Sequence, residues 1–380
     1  MQKSILATPS EKCTGCSVCQ AICPTKAISM RLNTQGFYDP VLDAELCVQC
    51  GKCQKACPVE KNSPNQRLTS YYGWNKALDT LYNSTSGGAF RALADKILAT
   101  DGIVYGAVYS GDYSEVLFSS SDIDALSRFQ KSKYIVSNPQ KVYCEVKQQL
   151  ETGRVVLFSG APCQVAGLTC FLGKDYGNLL TIDFVCGGMP SLRFWQEHTK
   201  QLEKKYNSKI TSVDFRSKRF GWGKGYLEIH FENGKEYFSR DYLDSYYNCF
   251  ACEHISVRKS CLGCEFHCKH FADITIADFW GYTKAGVSNV SGGVSLLIAN
   301  SQKGEAFIRE IENFEINLLE NQYSDYAVAK ETPDEKAIKA HNDFFAMADK
   351  YGFEKTAKKM CPATKLAHSK KYLKLKLGRK

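Results

Sequence analysis

The sequence lacks any apolar run of the roughly 20 residues that a membrane-spanning helix needs. Its opening stretch, "MQKSILATPSEKC", also lacks the apolar core of a secretory signal. Hydrophobic residues make up 44% of the chain and charged residues 23%, which excludes a disordered or collagen-like protein. These absences predict a globular protein of the cytoplasm.

The body of the chain lacks net charge, although the whole chain carries +9. The excess lies in residues 354–380, where ten Lys and Arg residues accompany a single acid, Glu354. Such a basic tail fits an anionic membrane surface, an acidic partner or plain solvation. No basic strand studded with aromatic residues and no helix-turn-helix pattern accompanies the charge, so we expect no nucleic-acid partner.

Cysteine, in contrast, is abundant, with 18 residues in 380. Without a secretory signal, this number indicates metal or redox chemistry rather than disulfides. The stretches "CTGCSVCQAICP" and "CVQCGKCQKACP" share the spacing C-x2-C-x2-C-x3-C-P and lie 34 residues apart. The N-terminal region is therefore an internal duplication.

This spacing is typical of bacterial two-cluster ferredoxins, in which the fourth cysteine of each motif ligates the other cluster. Zinc knuckles are disfavoured because zinc sites do not require this spacing, twice, with a following proline. We predict an α+β ferredoxin-like module over residues 1–62 with a hairpin turning at Gly36, and a linker over residues 63–80. One [4Fe–4S] cluster is expected on Cys13, Cys16, Cys19 and Cys57, and a second on Cys47, Cys50, Cys53 and Cys23.

Residues 81–330 are expected to form a larger α/β domain. The stretches "RVVLFSGAPCQVAGL" and "NLLTIDFVCGGMPS" both follow the order strand, glycine turn, helix, and they carry Cys163 and Cys186 in their turns. This repetition predicts a mixed, partly parallel sheet with both turns at one carboxyl edge, where open α/β sheets bind ligands. Residues 331–380 are expected to form a helical, basic C-terminal tail.

Two further stretches suggest an anionic ligand. Ser86, Gly87 and Gly88 precede an amphipathic helix, so their amides fit a phosphate or a flavin pyrophosphate, although the same residues serve equally as an ordinary N-cap. The stretch "FRSKRFGWGKG" brings Arg216 and Lys218 into one basic loop, which fits an anionic ligand or a solvated hairpin rim.

A second group of cysteines occurs in "CFACEHISVRKSCLGCEFHC". Its two C-x2-C pairs fit a zinc knuckle with four cysteine ligands. Two of its cysteines could instead join Cys163 and Cys186 around a third cluster. The spacing alone leaves both hypotheses open.

Taken in order, seven stretches resemble the coenzyme F-420 hydrogenase/dehydrogenase beta-subunit family, over residues 84 to about 300: "STSGGAF", "KSKYIVS", "VLFSGAPCQVAGL", "DFVCGGMPS", "FRSKRFGW", "SVRKSCLGC" and "ADITIADFWG". The resemblance implies an iron–sulfur flavoprotein with FAD or another flavin. It also implies a third [4Fe–4S] cluster on Cys163, Cys186, Cys261 and Cys264, leaving Cys249, Cys252 and Cys268 as additions of this chain. Gly187 stands where relatives commonly carry histidine, and Ala161 where they carry threonine.

The resulting hypothesis is an oxidoreductase that passes electrons between ferredoxin-type clusters and a flavin-bound substrate site. The candidate contacts for flavin and substrate are Ser86, Gly87, Gly88, Lys133, Arg216 and Lys218, with Asp278 beside them. The expected partner is ferredoxin or another redox subunit, and the resemblance to bacterial relatives implies a link to polysaccharide synthesis. Two alternatives are a non-catalytic electron-transfer subunit of a hydrogenase or dehydrogenase complex and a zinc-bearing scaffold.

Overall fold

A computed structural model describes residues 10–60, 64–121, 125–139, 141–267, 269–288, 290–319 and 335–362. The N-terminal module contains α1 (Val18–Ala21), β1 (Ile28–Leu32), β2 (Tyr38–Leu42) and α2 (Lys52–Lys55). Strands β1 and β2 pair antiparallel, from Ile28 opposite Leu42 to Leu32 opposite Tyr38. The predicted hairpin is therefore confirmed.

The turn of this hairpin packs closely against the rest of the protein. Gly36 has a φ of +87°, and a Cβ atom at this position would lie 2.5 Å from Ser191 Oγ. Its carbonyl accepts a hydrogen bond from the Leu192 amide, and Ser191 Oγ donates to the Gln35 carbonyl at 2.6 Å. Only glycine fits this turn, because it needs both a left-handed backbone and room for the neighbouring chain.

A nine-stranded sheet forms the centre of the α/β body, in the order β14-β3-β13-β12-β8-β7-β4-β5-β6. Strands β4, β7, β8 and β12 run parallel, and β3, β5, β13 and β14 add antiparallel pairs, so the mixed, partly parallel sheet is confirmed. Its strands are β3 (Thr69–Asn75), β4 (Ile103–Tyr109), β5 (Val116–Ser121), β6 (Ser137–Asn138), β7 (Val156–Ser159), β8 (Leu179–Phe184), β12 (Ile274–Asp278), β13 (Ser295–Ala299) and β14 (Phe314–Leu319).

The position of β3 corrects one expectation. The stretch 69–75 falls inside the expected linker 63–80, but it forms a strand between β13 and β14. Its side chains alternate between buried and half-buried along most of the strand, and Tyr71 reaches the core beneath the sheet. Polar flanking residues hide this pattern in the sequence, and the partner strands lie more than 200 residues further along the chain.

Helices cover both faces of the sheet, because the side chains of its central strands are apolar on each side. Leu157 of β7 packs among residues of α4, whereas Phe158 packs among residues of α5 and α6. This arrangement is typical of parallel strands buried on both faces. The helices of the body are α3 (Leu78–Tyr82), α4 (Ala89–Leu98), α5 (Val142–Glu151), α6 (Pro162–Leu172), α7 (Leu192–Tyr206), α8 (Ser245–Tyr247), α9 (Lys259–Leu262) and α10 (Gln302–Arg309).

A second, aromatic-rich core lies between α7 and a three-stranded sheet of β9 (Ile210–Asp214), β10 (Tyr226–Phe231) and β11 (Glu236–Arg240). Two C-terminal helices, α11 (Glu335–Tyr351) and α12 (Phe353–Met360), bury Phe344 and Phe353 in this core. The expected C-terminal tail, residues 331–380, therefore contains two packed helices, and its residues 331–334 and 363–380 lie outside the described residues. Within the described part of the chain, no helix is long and apolar enough to cross a membrane.

Candidate functional site

Four cysteines of the N-terminal module, Cys13, Cys16, Cys19 and Cys57, converge on one point, and we call them the first set. Burial raises the pKa of Cys16 to about 12, and the sulfurs of Cys57 and Cys13 add to the rise. Burial also raises the pKa of Cys19, again with contributions from the other three sulfurs. The amides of Val18 and Gln20 point at these thiols and oppose the rise. The site therefore combines four closely spaced sulfurs with backbone donors.

The other four cysteines of the module form the second set: Cys23, Cys47, Cys50 and Cys53. They line one small cavity, together with Pro24, Thr25 and Gly51. Cys50 is exposed, whereas Cys53 is buried. The second set therefore lies closer to solvent than the first.

The third set, Cys163, Cys186, Cys261 and Cys264, comes from three separate parts of the body. Cys163 lies in the first turn of α6, Cys186 follows β8, and Cys261 lies in α9. Burial raises the pKa of Cys163, and the sulfurs of Cys264, Cys186 and Cys261 raise it further. The pKa of Cys261 rises to about 11 for the same reasons. The amides of Gly188 and Met189 donate to Cys186 Sγ and Cys261 Sγ, each at 3.4 Å.

The first set packs against α6, the helix that carries Cys163 of the third set. The sulfur of Cys16 is among the groups that raise the pKa of Cys163. A Cβ atom on Gly167, one turn after Cys163, would lie 3.3 Å from Cys16 Sγ. Tyr143 bridges the same contact, because its hydroxyl lies 2.8 Å from both the Cys16 and the Gln164 carbonyls. Little space therefore separates the two sets.

A cavity of about 370 Å³ adjoins the third set, and Cys186 is one of its lining residues. It opens where β7 and β8 end, at Ser159–Ala161 and at Phe184–Gly188, as the sequence predicts. Its volume is in the range of small-molecule and cofactor sites. Phe118, Phe129, Phe184 and Ile276 supply apolar walls.

Four of the six candidate contacts, Ser86, Gly88, Lys133 and Arg216, line this cavity. Gly87 and Lys218 are not among the lining residues. A Cβ atom on Gly87 would lie 2.3 Å from the Gly73 carbonyl, so this residue serves close packing. The Lys218 Nζ donates to the carbonyls of Leu81 and Ser86 at 2.6 and 2.7 Å, and so supports the turn from behind.

Buried cations give the cavity its electrostatic character. Arg216 pairs with Asp278 at 2.9 Å, and its guanidinium lies 5.5 Å from the ring centroid of Trp280. Among the described residues, no carboxylate forms an ion pair with Lys133, whose Nζ donates to the Gln130 carbonyl at 2.9 Å. Burial lowers the pKa of Lys133 to about 7, against the opposing charge of Asp214. An anionic group in the cavity would relieve this cost by favouring the ammonium form.

Three residues of the site had not been predicted from the sequence. Gln164 lines the cavity and fixes its rim, because its Oε1 accepts from the Ala161 amide and its Nε2 donates to the Ser137 carbonyl. Tyr143 and Arg258 connect the N-terminal module to the body. Gln164 stands within the quoted stretch "VLFSGAPCQVAGL", and Arg258 stands within "SVRKSCLGC". The available signal was therefore an uncharged amide beside a cysteine in the first stretch and a lone arginine near the cysteines in the second.

The remaining cysteines do not gather into one zinc site. Cys249 is buried beside Cys361 and shares a thiol hydrogen bond with it, and this contact together with burial raises its pKa. Cys261 and Cys264 lie with Cys163 and Cys186 instead. Cys268 lies outside the described residues. The geometry therefore favours the third set over the zinc knuckle.

Comparisons with known proteins give matches in both the N-terminal and the C-terminal part of the chain. The family model for the C terminus of the beta subunit of coenzyme F420 hydrogenase/dehydrogenase matches residues 153–322. Two models of 4Fe-4S dicluster domains match residues 12–61 and 39–95. A comparison with curated proteins gave no match.

Among solved structures, a chain of the F420-reducing [NiFe] hydrogenase complex from Methanosarcina barkeri is similar to this one. The similarity covers 76% of this chain and 93% of that chain, with 15% sequence identity and a TM-score of 0.47. The family models give the assignment. Residues 153–322 match the coenzyme F420 hydrogenase/dehydrogenase beta-subunit family, and in this chain a match to a 4Fe–4S dicluster domain precedes them.

Proposed function

We propose that this protein is an iron–sulfur flavoprotein oxidoreductase with three [4Fe–4S] clusters and one flavin. The observation that supports this most strongly is the unbroken succession of sites. The second set lies near the surface, the first set packs against α6, which carries Cys163 of the third set, and the third set contributes Cys186 to a cavity of cofactor size.

The donor chemistry of each set fits a [4Fe–4S] cluster. Each set supplies four thiols, which is the usual ligand number for this cluster. In the first and third sets, backbone amides point at the sulfurs, and such hydrogen bonds tune cluster potentials. The ligands would be Cys13, Cys16, Cys19 and Cys57 for one cluster, Cys47, Cys50, Cys53 and Cys23 for a second, and Cys163, Cys186, Cys261 and Cys264 for a third.

The cavity fits a flavin for two reasons. The start of α4, at Gly88–Phe90, faces it and would hold an anionic phosphate through its backbone amides. The apolar walls suit an aromatic ring system, and Lys133 and Arg216 supply positive charge beside it. When bound, the clusters would carry single electrons and the flavin would couple them to a two-electron substrate reaction.

The protein's own residues would divide the remaining work. Arg216 and Lys133 would orient an anionic group. Trp280 would cover the site, because its ring stacks on Trp222 with 4.7 Å between the ring centroids while half of its surface is exposed. A sugar-derived substrate is a prediction from the resemblance alone. A cavity of cofactor size beside the third set favours a flavin-bearing protein over a relay subunit that carries clusters alone.

Metal and flavin analysis of the anaerobically purified protein tests the proposal. We expect about twelve irons, a matching amount of sulfide and one flavin per chain. Cys163→Ser should reduce iron to about eight while leaving the two N-terminal clusters. Cys144→Ser is the control, since Cys144 is exposed and belongs to none of the three sets. About eight irons with zinc, and no flavin after incubation with FAD, would contradict the proposal.

A matched pair of lysines tests the cavity itself. Lys133→Met should weaken FAD binding because it removes a buried cation that lines the cavity. Lys174→Met should leave FAD binding unchanged, since Lys174 is exposed and stacks on Tyr176 outside the lining residues. Equal FAD affinity in the two variants, measured by flavin fluorescence, would argue against a flavin at this position.

A further inference from the structure

Arg258 reaches from the body of the protein into the N-terminal module, although its surface is only 5% exposed. It immediately precedes α9, and its own backbone is fixed by the amide donating to the Met189 carbonyl at 2.8 Å. Its side chain then crosses to the first cysteine loop, where Nε donates to the Cys13 carbonyl at 2.6 Å. A buried arginine with such a reach has a specific partner to satisfy.

The guanidinium uses its remaining donors within the same module. Nη1 donates to the Tyr38 carbonyl at 3.1 Å, and Nη2 pairs with the Asp39 carboxylate. A Cβ atom on Gly15, inside the first cysteine loop, would lie 3.4 Å from Nη1. The cation is therefore held in one position against the loop that carries Cys13 and Cys16.

This position lies between the first and third sets. Arg258 lies three residues before Cys261, and its carbonyl accepts a hydrogen bond from the Cys261 amide at 2.8 Å, while its guanidinium contacts the loop that carries Cys13. Cys13 belongs to the first set and Cys261 to the third, so one cation acts on both. In the described part of the chain, the hydrogen bonds and ring contact of Arg258 involve no residue of the second set.

We propose that Arg258 is a positioning residue that sets the reduction potentials of the clusters on the first and third sets together, and leaves the cluster on the second set unaffected. The proposal rests on the three clusters of the proposed function. Four thiolate ligands give each cluster a negative charge that grows on reduction, so a fixed buried cation stabilises the reduced state. One shared cation therefore shifts both potentials in the same direction.

Asp39 places a negative charge beside the Arg258 guanidinium, so a change at Asp39 should shift the same two potentials in the opposite direction. Asp39 neutralises part of the guanidinium charge and is itself 40% exposed in its side chain. Asp39→Asn would leave the cation in place but less compensated, since an amide still accepts a hydrogen bond. The potentials of the same two clusters should then rise, whereas loss of the cation in Arg258→Gln should lower them.

An anaerobic redox titration of the full-length holoprotein, followed by EPR, tests this. In Arg258→Gln, two of the three midpoint potentials should fall, and in Asp39→Asn the same two should rise. Arg258→Lys, which keeps a charge but loses the three-way contact, should fall between wild type and Arg258→Gln. Arg193→Gln is the control, because Arg193 also crosses to the module, with Nη1 donating to the Thr34 carbonyl at 3.1 Å, but is exposed.

The outcomes separate this proposal from the one on which it rests. Iron and sulfide are measured on the same samples, and a wild-type protein with about eight irons would refute the third cluster and this proposal with it. About twelve irons with unchanged midpoints in both Arg258→Gln and Asp39→Asn would refute the role of Arg258 alone. Equal shifts of all three midpoints, or equal shifts in Arg193→Gln, would likewise overturn it.

Discussion

Removal of the Tyr143 hydroxyl tests the contact between the N-terminal module and α6. This hydroxyl lies 2.8 Å from two backbone carbonyls, of Cys16 in the first set and of Gln164 at the cavity rim. Its single proton is shared between them, and the side chain is fully buried. In Tyr143→Phe both carbonyls lose this donor in a site that water does not reach, while the ring contacts with Phe158 and Phe171 persist.

The expected cost is about 1–3 kcal/mol, the range for leaving buried hydrogen-bonding groups unsatisfied. Tyr246→Phe is a matched control, because its hydroxyl also donates to a buried carbonyl, that of Tyr134, at 2.7 Å. Tyr246 lies in the aromatic-rich core of α7, apart from the first set. Both variants should therefore lose comparable stability, measured as the apparent Tm of the holoprotein at one scan rate, by about 2–4 °C for each kcal/mol.

The two variants should differ in the cluster signals. Tyr143→Phe should alter the EPR spectrum or midpoint of the cluster on the first set, since the Cys16 carbonyl belongs to the loop that carries its ligands. Tyr246→Phe should leave every cluster signal at its wild-type value. If Tyr143→Phe lowered Tm without any change in the cluster signals, the hydroxyl would be structural only and the reasoning about this contact would be refuted.

Three further variants test the surroundings of the site. His198→Gln should lower the free energy of unfolding by roughly 3–5 kcal/mol near neutral pH, because it leaves the Asp244 and Glu354 carboxylates buried without their cation. Burial lowers the pKa of His198, but these two carboxylates outweigh burial and raise it to about 10. The stability difference between His198→Gln and wild type should therefore be full below about pH 6.5 and should disappear as the pH approaches 10. A difference in Tm that does not depend on pH would refute this. Gly87→Ala should lower the free energy of unfolding by about 1–3 kcal/mol through overpacking, which would appear as a lower Tm with less bound flavin. Unchanged flavin content would show that the turn tolerates a side chain. Lys218→Met should release the turn at Ser86 and so weaken FAD binding by about tenfold, equivalent to about 1.4 kcal/mol. Unchanged flavin fluorescence titrations would rule out this support.

Much of the fold follows from local sequence signals. The hairpin at Gly36 and the parallel strands β7 and β8 were predicted because their patterns of apolar and turn residues are short and contiguous. Strand β3 was missed because its pairing depends on β13 and β14, whose residues are far away in the chain. Local composition carries no information on such a long-range pairing.

The predicted site residues also fall into two groups, those that line the cavity and those that do not. Ser86, Gly88, Lys133 and Arg216 were predicted as ligand contacts, and the structure brings them to one cavity. Gly87 and Lys218 stand in the same motifs, yet one is required by a close backbone approach and the other supports neighbouring carbonyls. A motif identifies residues that act together, but it does not distinguish the residues that line a cavity from those that hold its walls.

The contact of Tyr143 with the N-terminal module had no sequence signal, and α6 explains why it matters. Its first turn supplies Cys163 to the third set and Gln164 to the cavity rim, and its next turn places Gly167 against Cys16. Because a helix turns every 3.6 residues, positions so close in the chain face different neighbours within a few ångströms. One rigid element thus fixes the distance between the first set, the third set and the cavity. A displacement of the N-terminal module along α6 would consequently change the distance of the first set from both the third set and the cavity, whereas the third set and the cavity would keep their separation because α6 carries residues of both.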